Sequence, residues 1–376
     1  MLTLRGPIGA RRGAALNDLG IIQDGSVLIR DGRIVSVGPA RRVENLKEAR
    51  GAITISAEGA IIMPGFVDPG LQLSLHSGPS IKRRRIADFA DESLGLLRAC
   101  LQHGTLNVQI KANSGTCDLR SDFAVLRQLA EIGNNPVGMV RAWRITEPVA
   151  SNPDCAAELD DLLNTLAVRK FAQFLDVSPD CSDSLIERVW NLAAERKLKV
   201  NLLWQGGPPD RLERLLSRWN PHTVWCPYTL SEAERALISE SRAIAVFSPN
   251  GELLDGSATD SVRRLAALDA ALALSSGYHA SEMPSFNMQM VISLAVLRLH
   301  LTVEQAITAA TVNAAHAIGR GDDIGTIEFG KRADLVVLNM PDYREIPRRL
   351  GINHVVMAIR DGNIVFNRIR SKAIAG

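Results

Sequence analysis

Between residues 63 and 323, apolar strand-like runs alternate with amphipathic helical stretches, and no other feature restricts the fold of this 376-residue chain as much. Strand candidates are 106–110 (LNVQI), 140–143 (VRAW), 199–203 (KVNLL), 223–226 (TVWC) and 243–247 (AIAVF). Helices over 121–132 and 184–196 lie between them, and a last helix starts at Thr302 and ends near Gly319. Thr302 with Gln305 three residues on is a capping box, in which each side chain answers the other's backbone N–H. Repeated strand-then-helix units over about 250 residues predict a (β/α)8 barrel. A doubly wound sheet is the runner-up, but no Gly-rich phosphate loop follows an early strand.

The chain ends have a different pattern. Residues 25–38 and 355–366 each alternate apolar and polar positions around Asp31-Gly32 and Asp361-Gly362. Asp-Gly tolerates the positive φ angles of a tight turn, so both segments predict β-hairpins. Strands at 53–56, 60–63 and 333–338 extend the pattern. These pieces predict one small β-sandwich-like domain assembled from residues 1–62 and 324–376, with the barrel over 63–323.

A net charge of +2 gives no footing for nucleic acid or a membrane surface. Five scattered cysteines without a CxxC fit reduced thiols, and the start of the chain shows no apolar signal segment. The longest apolar stretch, near 290–301, is too short to span a bilayer. A cytoplasmic globular protein is therefore expected.

The segment MPGFVDP at 63–69, with HGT at 103–105, PSFNMQMVISLA at 284–295, AATVNAAHAIG at 309–319, KRADLVVL at 331–338, PDY at 341–343 and GINHV at 351–355, resembles the amidohydrolase superfamily. Within it, the chain resembles the imidazolonepropionases over nearly its whole length. The resemblance implies a metal ion held by His-x-His after strand 1, a His after strand 5, an Asp after strand 8 and another His after strand 6. The His-x-His positions are Gly70 and Gln72 here, and the strand-5 His is Asn201. The proton-transfer position is Trp204, the strand-6 Asp-His is Trp225-Cys226, and the strand-8 Thr-Asp falls at Ser276-Gly277, within a residue. Glycine has no donor, neutral amides are weak ligands for zinc or iron, and one thiolate does not make a site. No metal, no other cofactor and no catalytic residue are expected.

Gly70, Gln72, Asn201, Trp204, Cys226 and Gly277 are thus expected to line a dry, reduced ligand pocket, with His76 and His279 at its rim. Its ligand would be a small uncharged or weakly polar molecule, or none. Rebuilt chemistry from His76, His279 and Cys226, or a Cys226 nucleophile, competes with solvated loop histidines and a buried thiol. Ser275-Ser276 reads as a strand-end turn without a G-x-S-x-G elbow, and the Lys82–Arg85 run as a solvated face or an anion grip. The reading is a metal-free, catalytically impaired protein with a binding or partner role. The alternative is an active hydrolase of C–N bonds in a cyclic amide using an altered site. The resemblance also implies a homodimer.

Overall fold

The computed structural model describes residues 1–74, 86–113, 119–145, 153–227, 229–249 and 260–368. Its amino-terminal strands are β1 (Gly25–Arg30), β2 (Arg33–Pro39) and β3 (Ile61–Pro64). The barrel strands are β4 (Phe66–Ser74), β5 (Thr105–Asn113), β6 (Gly138–Ile145), β7 (Phe174–Val177), β8 (Lys199–Leu203), β9 (Thr223–Trp225), β10 (Ile244–Phe247) and β11 (Ala271–Leu274). They pair side by side and in parallel from β4 to β11. A two-residue strand, β12 (Tyr278–His279), leaves the end of β11 and pairs in parallel with β4, Tyr278 opposite Leu71 and His279 opposite Gln72. That step joins the last strand to the first and completes the (β/α)8 arrangement.

The longer strands alternate their faces. In β5, Leu106, Val108, Ile110 and Ala112 join the large apolar core, whereas Asn107, Gln109 and Lys111 are buried polar residues on the other face. The predicted helices appear as Leu119–Ile132 and Asp183–Glu195, the second capped by Ser182. The last predicted helix is two, Val303–Ala309 and Val312–Ala317, because Thr311 leaves helical geometry at φ −129° and ψ −84°. The Thr302–Gln305 capping box is present. Val312–Ala317 packs on β4, β10 and β11, and its small alanines allow that close approach.

The small domain contains a sheet in the order β15 (Asn363–Asn367), β14 (Val355–Arg360), β13 (Leu335–Leu338), β3, all antiparallel. The β1–β2 hairpin stacks on it through Val27, Ile29 and Ile34 against Leu335, Ile62 and Ile359, as in a β-sandwich. Both hairpins turn at their Asp-Gly pairs, with φ of +50° and +76° at Asp31 and Gly32, and +49° and +73° at Asp361 and Gly362. The expected strand at 53–56 is absent: Ile53 and Ile55 are exposed, so no apolar face holds that segment. No helix among the described residues is long and apolar enough to cross a membrane.

Candidate functional site

The inward faces of β5, β7, β8 and β9 carry a connected polar network. Lys111 Nζ on β5 donates to Asp176 Oδ2 on β7 at 2.7 Å, with both side chains at most 3% exposed. Asp176 Oδ1 accepts from Asn201 Nδ2 on β8 at 2.8 Å, and Thr223 Oγ1 on β9 donates to Asn201 Oδ1 at 2.8 Å. The Lys111 ammonium also lies 4.2 Å from the Trp225 ring centroid, within cation–π range. Burial lowers the Lys111 ammonium to about 8, although Asp176 pulls the other way.

A second cluster closes the barrel between β4 and β11. Asp68 Oδ1 accepts from Gly70 N (3.0 Å), Ser275 Oγ (2.8 Å) and Ser276 N (3.1 Å), and Ser276 Oγ donates to Oδ2. Burial still pushes the Asp68 carboxyl above the usual carboxylate range, with those hydrogen bonds opposing it. Gly70 is packed against Trp225: a Cβ there would lie 2.2 Å from Trp225 Cη2 and 2.7 Å from Ser275 Oγ. No side chain larger than hydrogen fits at position 70 while the indole is in place.

The sequence-selected residues fall in different places. Gln72 is on β4 and accepts from Arg144 Nη1 at 3.0 Å. Asn201 is at the centre of the network described above. Trp204 is buried and donates from Nε1 to Glu234 Oε1 at 2.7 Å, so it is anchored to the helix Glu232–Glu240. The Cys226 thiol points back to the Val224 carbonyl, and burial followed by the charge of Glu234 pushes it well above the usual thiol range. That disfavours the thiolate a nucleophile needs. Gly277 turns away at φ +59°, where a Cβ would meet Ser248 Oγ at 2.0 Å. Ser275 and Ser276, just before it, are the side chains after β11 that reach Asp68, and Ser275 also reaches the Gly70 carbonyl. His279 faces Ser281 Oγ at 3.0 Å and pairs in register with Gln72, which places it at the β4 edge. His76 and the Lys82–Arg85 run lie outside the described residues.

The expectation of a dry, weakly polar interior therefore needs correction, since Asp68, Lys111 and Asp176 are all buried within the barrel. Their signal was present as charged or amide residues at every second position of apolar strands, at 107, 109 and 111 in β5 and at Asp176 in β7. The four residues of β7 carry too little periodicity to be legible as a strand in the sequence. Among the described residues, no group of three or more His, Cys, Asp or Glu is placed to hold a metal ion.

A parallel barrel with buried polar clusters and a composite β-sandwich beside it define the chain as a (β/α)8 barrel protein. Residues 212–365 match the amidohydrolase family. The imidazolonepropionase of Alkaliphilus metalliredigens is 27% identical over 98% of this chain and 97% of its own length, and that of Symbiobacterium thermophilum is 28% identical over 97% and 95%. Among solved structures, E. coli guanine deaminase superposes with a TM-score of 0.71 at 20% identity over 98% of this chain and 97% of that one. Atrazine chlorohydrolase TrzN from Arthrobacter aurescens TC1 does so with 0.73 at 14% identity over 94% of each chain. Those two share the fold. The chain is thus similar to the amidohydrolase family over residues 212–365 and to imidazolonepropionases over nearly its whole length.

Proposed function

We propose that this protein is a metal-free, catalytically impaired relative of the imidazolonepropionases that acts by binding rather than by hydrolysis. The observation that carries the reading is the packing at Gly70. The Trp225 indole fills the space that a His side chain at position 70 would need, and the Lys111 ammonium lies on the indole's face, paired with Asp176. A fixed buried cation there opposes the arrival of a second, divalent one. Gln72 and Asn201 contribute neutral amides already engaged with Arg144 and Asp176. These residues do not fit a bound zinc or iron ion, so no step through such an ion is derived.

The charged interior suits a polar ligand better than an uncharged one. Trp225 Nε1 and Arg144 Nε are buried and have no hydrogen-bond partner among the described residues. A small molecule offering acceptor oxygens would satisfy both. The protein would act as a homodimer, with exposed Leu350 and Ile352 beside Asn353-His354 as the apolar patch. Light scattering at micromolar concentration is expected to give twice the chain mass.

The test is elemental analysis of protein purified without chelator. Substoichiometric zinc, iron and manganese is the expected result. A full equivalent of tightly held metal overturns the reading. One observation favours a second reading, an altered-site hydrolase of cyclic C–N bonds: a Lys111 amine that loses its proton near pH 8 could serve as a general base. Metal-independent ring opening that is abolished by Lys111→Met would establish that activity.

A further inference from the structure

At the opposite, amino-terminal end of the barrel strands a cavity of about 490 Å³ lies between the barrel floor and the small β domain. Its barrel side is formed by the starts of β6, β7 and β8 and by Gly319-Arg320 after the last helix. Arg33 on β2, Arg332 before β13 and Arg360 on β14 enter from the small domain, and Lys197, Lys199 and Arg320 from the barrel. Among the described residues, a single carboxylate, Asp323, lines the cavity with these six cations.

Asp323 is shared three ways, by Arg33 at 2.8 Å, Arg320 at 2.8 Å and Arg332 at 3.3 Å. Asp361 supports Arg332 at 2.7 Å and Arg360 at 3.7 Å, while Asp334 acts on Arg360 and Asp322 on Lys199 from outside the lining. The six cations therefore face four carboxylates. The Lys197 and Lys199 ammonium groups make no hydrogen bond or salt bridge among the described residues, Lys199 Nζ lying 5.7 Å from the Phe174 ring centroid, and Arg360 Nε is buried without a partner among them. Such an excess of fixed positive charge in a concave site raises the local concentration of anions. Guanidinium forks beside ammonium groups match the oxygens of phosphate.

We propose that this cavity binds a small phosphate-bearing anion that clamps the barrel to the β domain. Catalysis in this fold is placed at the other end of the strands, so the anion here is a stabilising or regulatory ligand and not a substrate. Its size suits a small molecule.

The probe is inorganic pyrophosphate, titrated calorimetrically into the intact protein, with sodium sulfate at matched ionic strength as comparator. A saturable one-to-one heat is expected, together with a rise in Tm as pyrophosphate saturates the folded state. Each lost charge-assisted contact should weaken binding about tenfold. Lys199→Gln and Lys197→Asn are the test variants, because both residues are exposed and neither side chain forms a salt bridge among the described residues; far-UV circular dichroism and Tm of the ligand-free variants check that each is folded. Lys199→Arg should restore affinity. Inorganic phosphate and ribose 5-phosphate, run in parallel, distinguish a free inorganic ligand from a phosphomonoester. No saturable heat, equal binding of sulfate, or unchanged affinity in the folded Lys197→Asn/Lys199→Gln variant would overturn the proposal.

Discussion

Lys111 and Asp176 form a buried ion pair that works as a unit. Removing one partner leaves an unpaired charge in the barrel, which costs about 3–5 kcal/mol, whereas removing both leaves no buried charge, with Gln109 Oε1 remaining as the acceptor for Asn201 Nδ2. Lys111→Met alone and Asp176→Leu alone are expected to lower the urea-unfolding free energy by that amount, and the double variant to recover most of it. Equal, additive losses would show that the two side chains do not interact. His222 is the second informative residue. Its Nε2 lies 2.8 Å from the His316 carbonyl oxygen, and burial, with the nearby Lys199 charge, lowers it from 6.5 to about 4. A depressed folded value means that the unfolded chain takes up the proton first. Stability is then complete above about pH 6.5 and is lost as pH falls toward 4, by up to about 3 kcal/mol. His222→Gln should flatten that acid limb in denaturation curves measured between pH 7 and 4; an unchanged limb would assign it to other groups.

The helix Glu232–Glu240 shows how one residue serves two elements. Glu234 closes a capping box with Ser231, its Oε2 accepting from Ser231 N at 2.7 Å, while its Oε1 accepts from Trp204. Glu234→Ala removes the cap and leaves the buried indole N–H unpaired, so a loss of about 2–4 kcal/mol is expected. Trp204→Phe in the same background should recover the part due to the indole, measured by thermal unfolding. Failure to recover any would mean that Trp204 matters only through its bulk. At this scale the two Asp-Gly hairpins were legible because their turn chemistry is local. The break at Thr311 was not, because it depends on how two short helices meet the barrel floor.

For the whole molecule, the packing at Gly70 decides what would restore metal binding. Gly70→His, Gln72→His and Asn201→His with Gly277→Asp are expected to fail, since Trp225 occupies the first position and Gly277 faces Ser248. Adding Trp225→Gly, and moving the carboxylate to Ser275→Asp, is expected to yield a zinc-binding protein by elemental analysis. Zinc uptake by the first set would show that the indole can move aside. The sequence by itself determined the strand-helix order, the two turns and the residue types at positions 70, 72 and 201, because these are properties of single residues or of short-range periodicity. Only the tertiary structure decided that Trp225 fills the space beside Gly70, that Lys111 meets Asp176 across 65 residues, and that Ser275 rather than Gly277 reaches the site. It also brought Arg33, Lys199 and Arg360 around one cavity. Those contacts depend on which way each side chain points once the barrel closes, and neither spacing nor composition carries that direction.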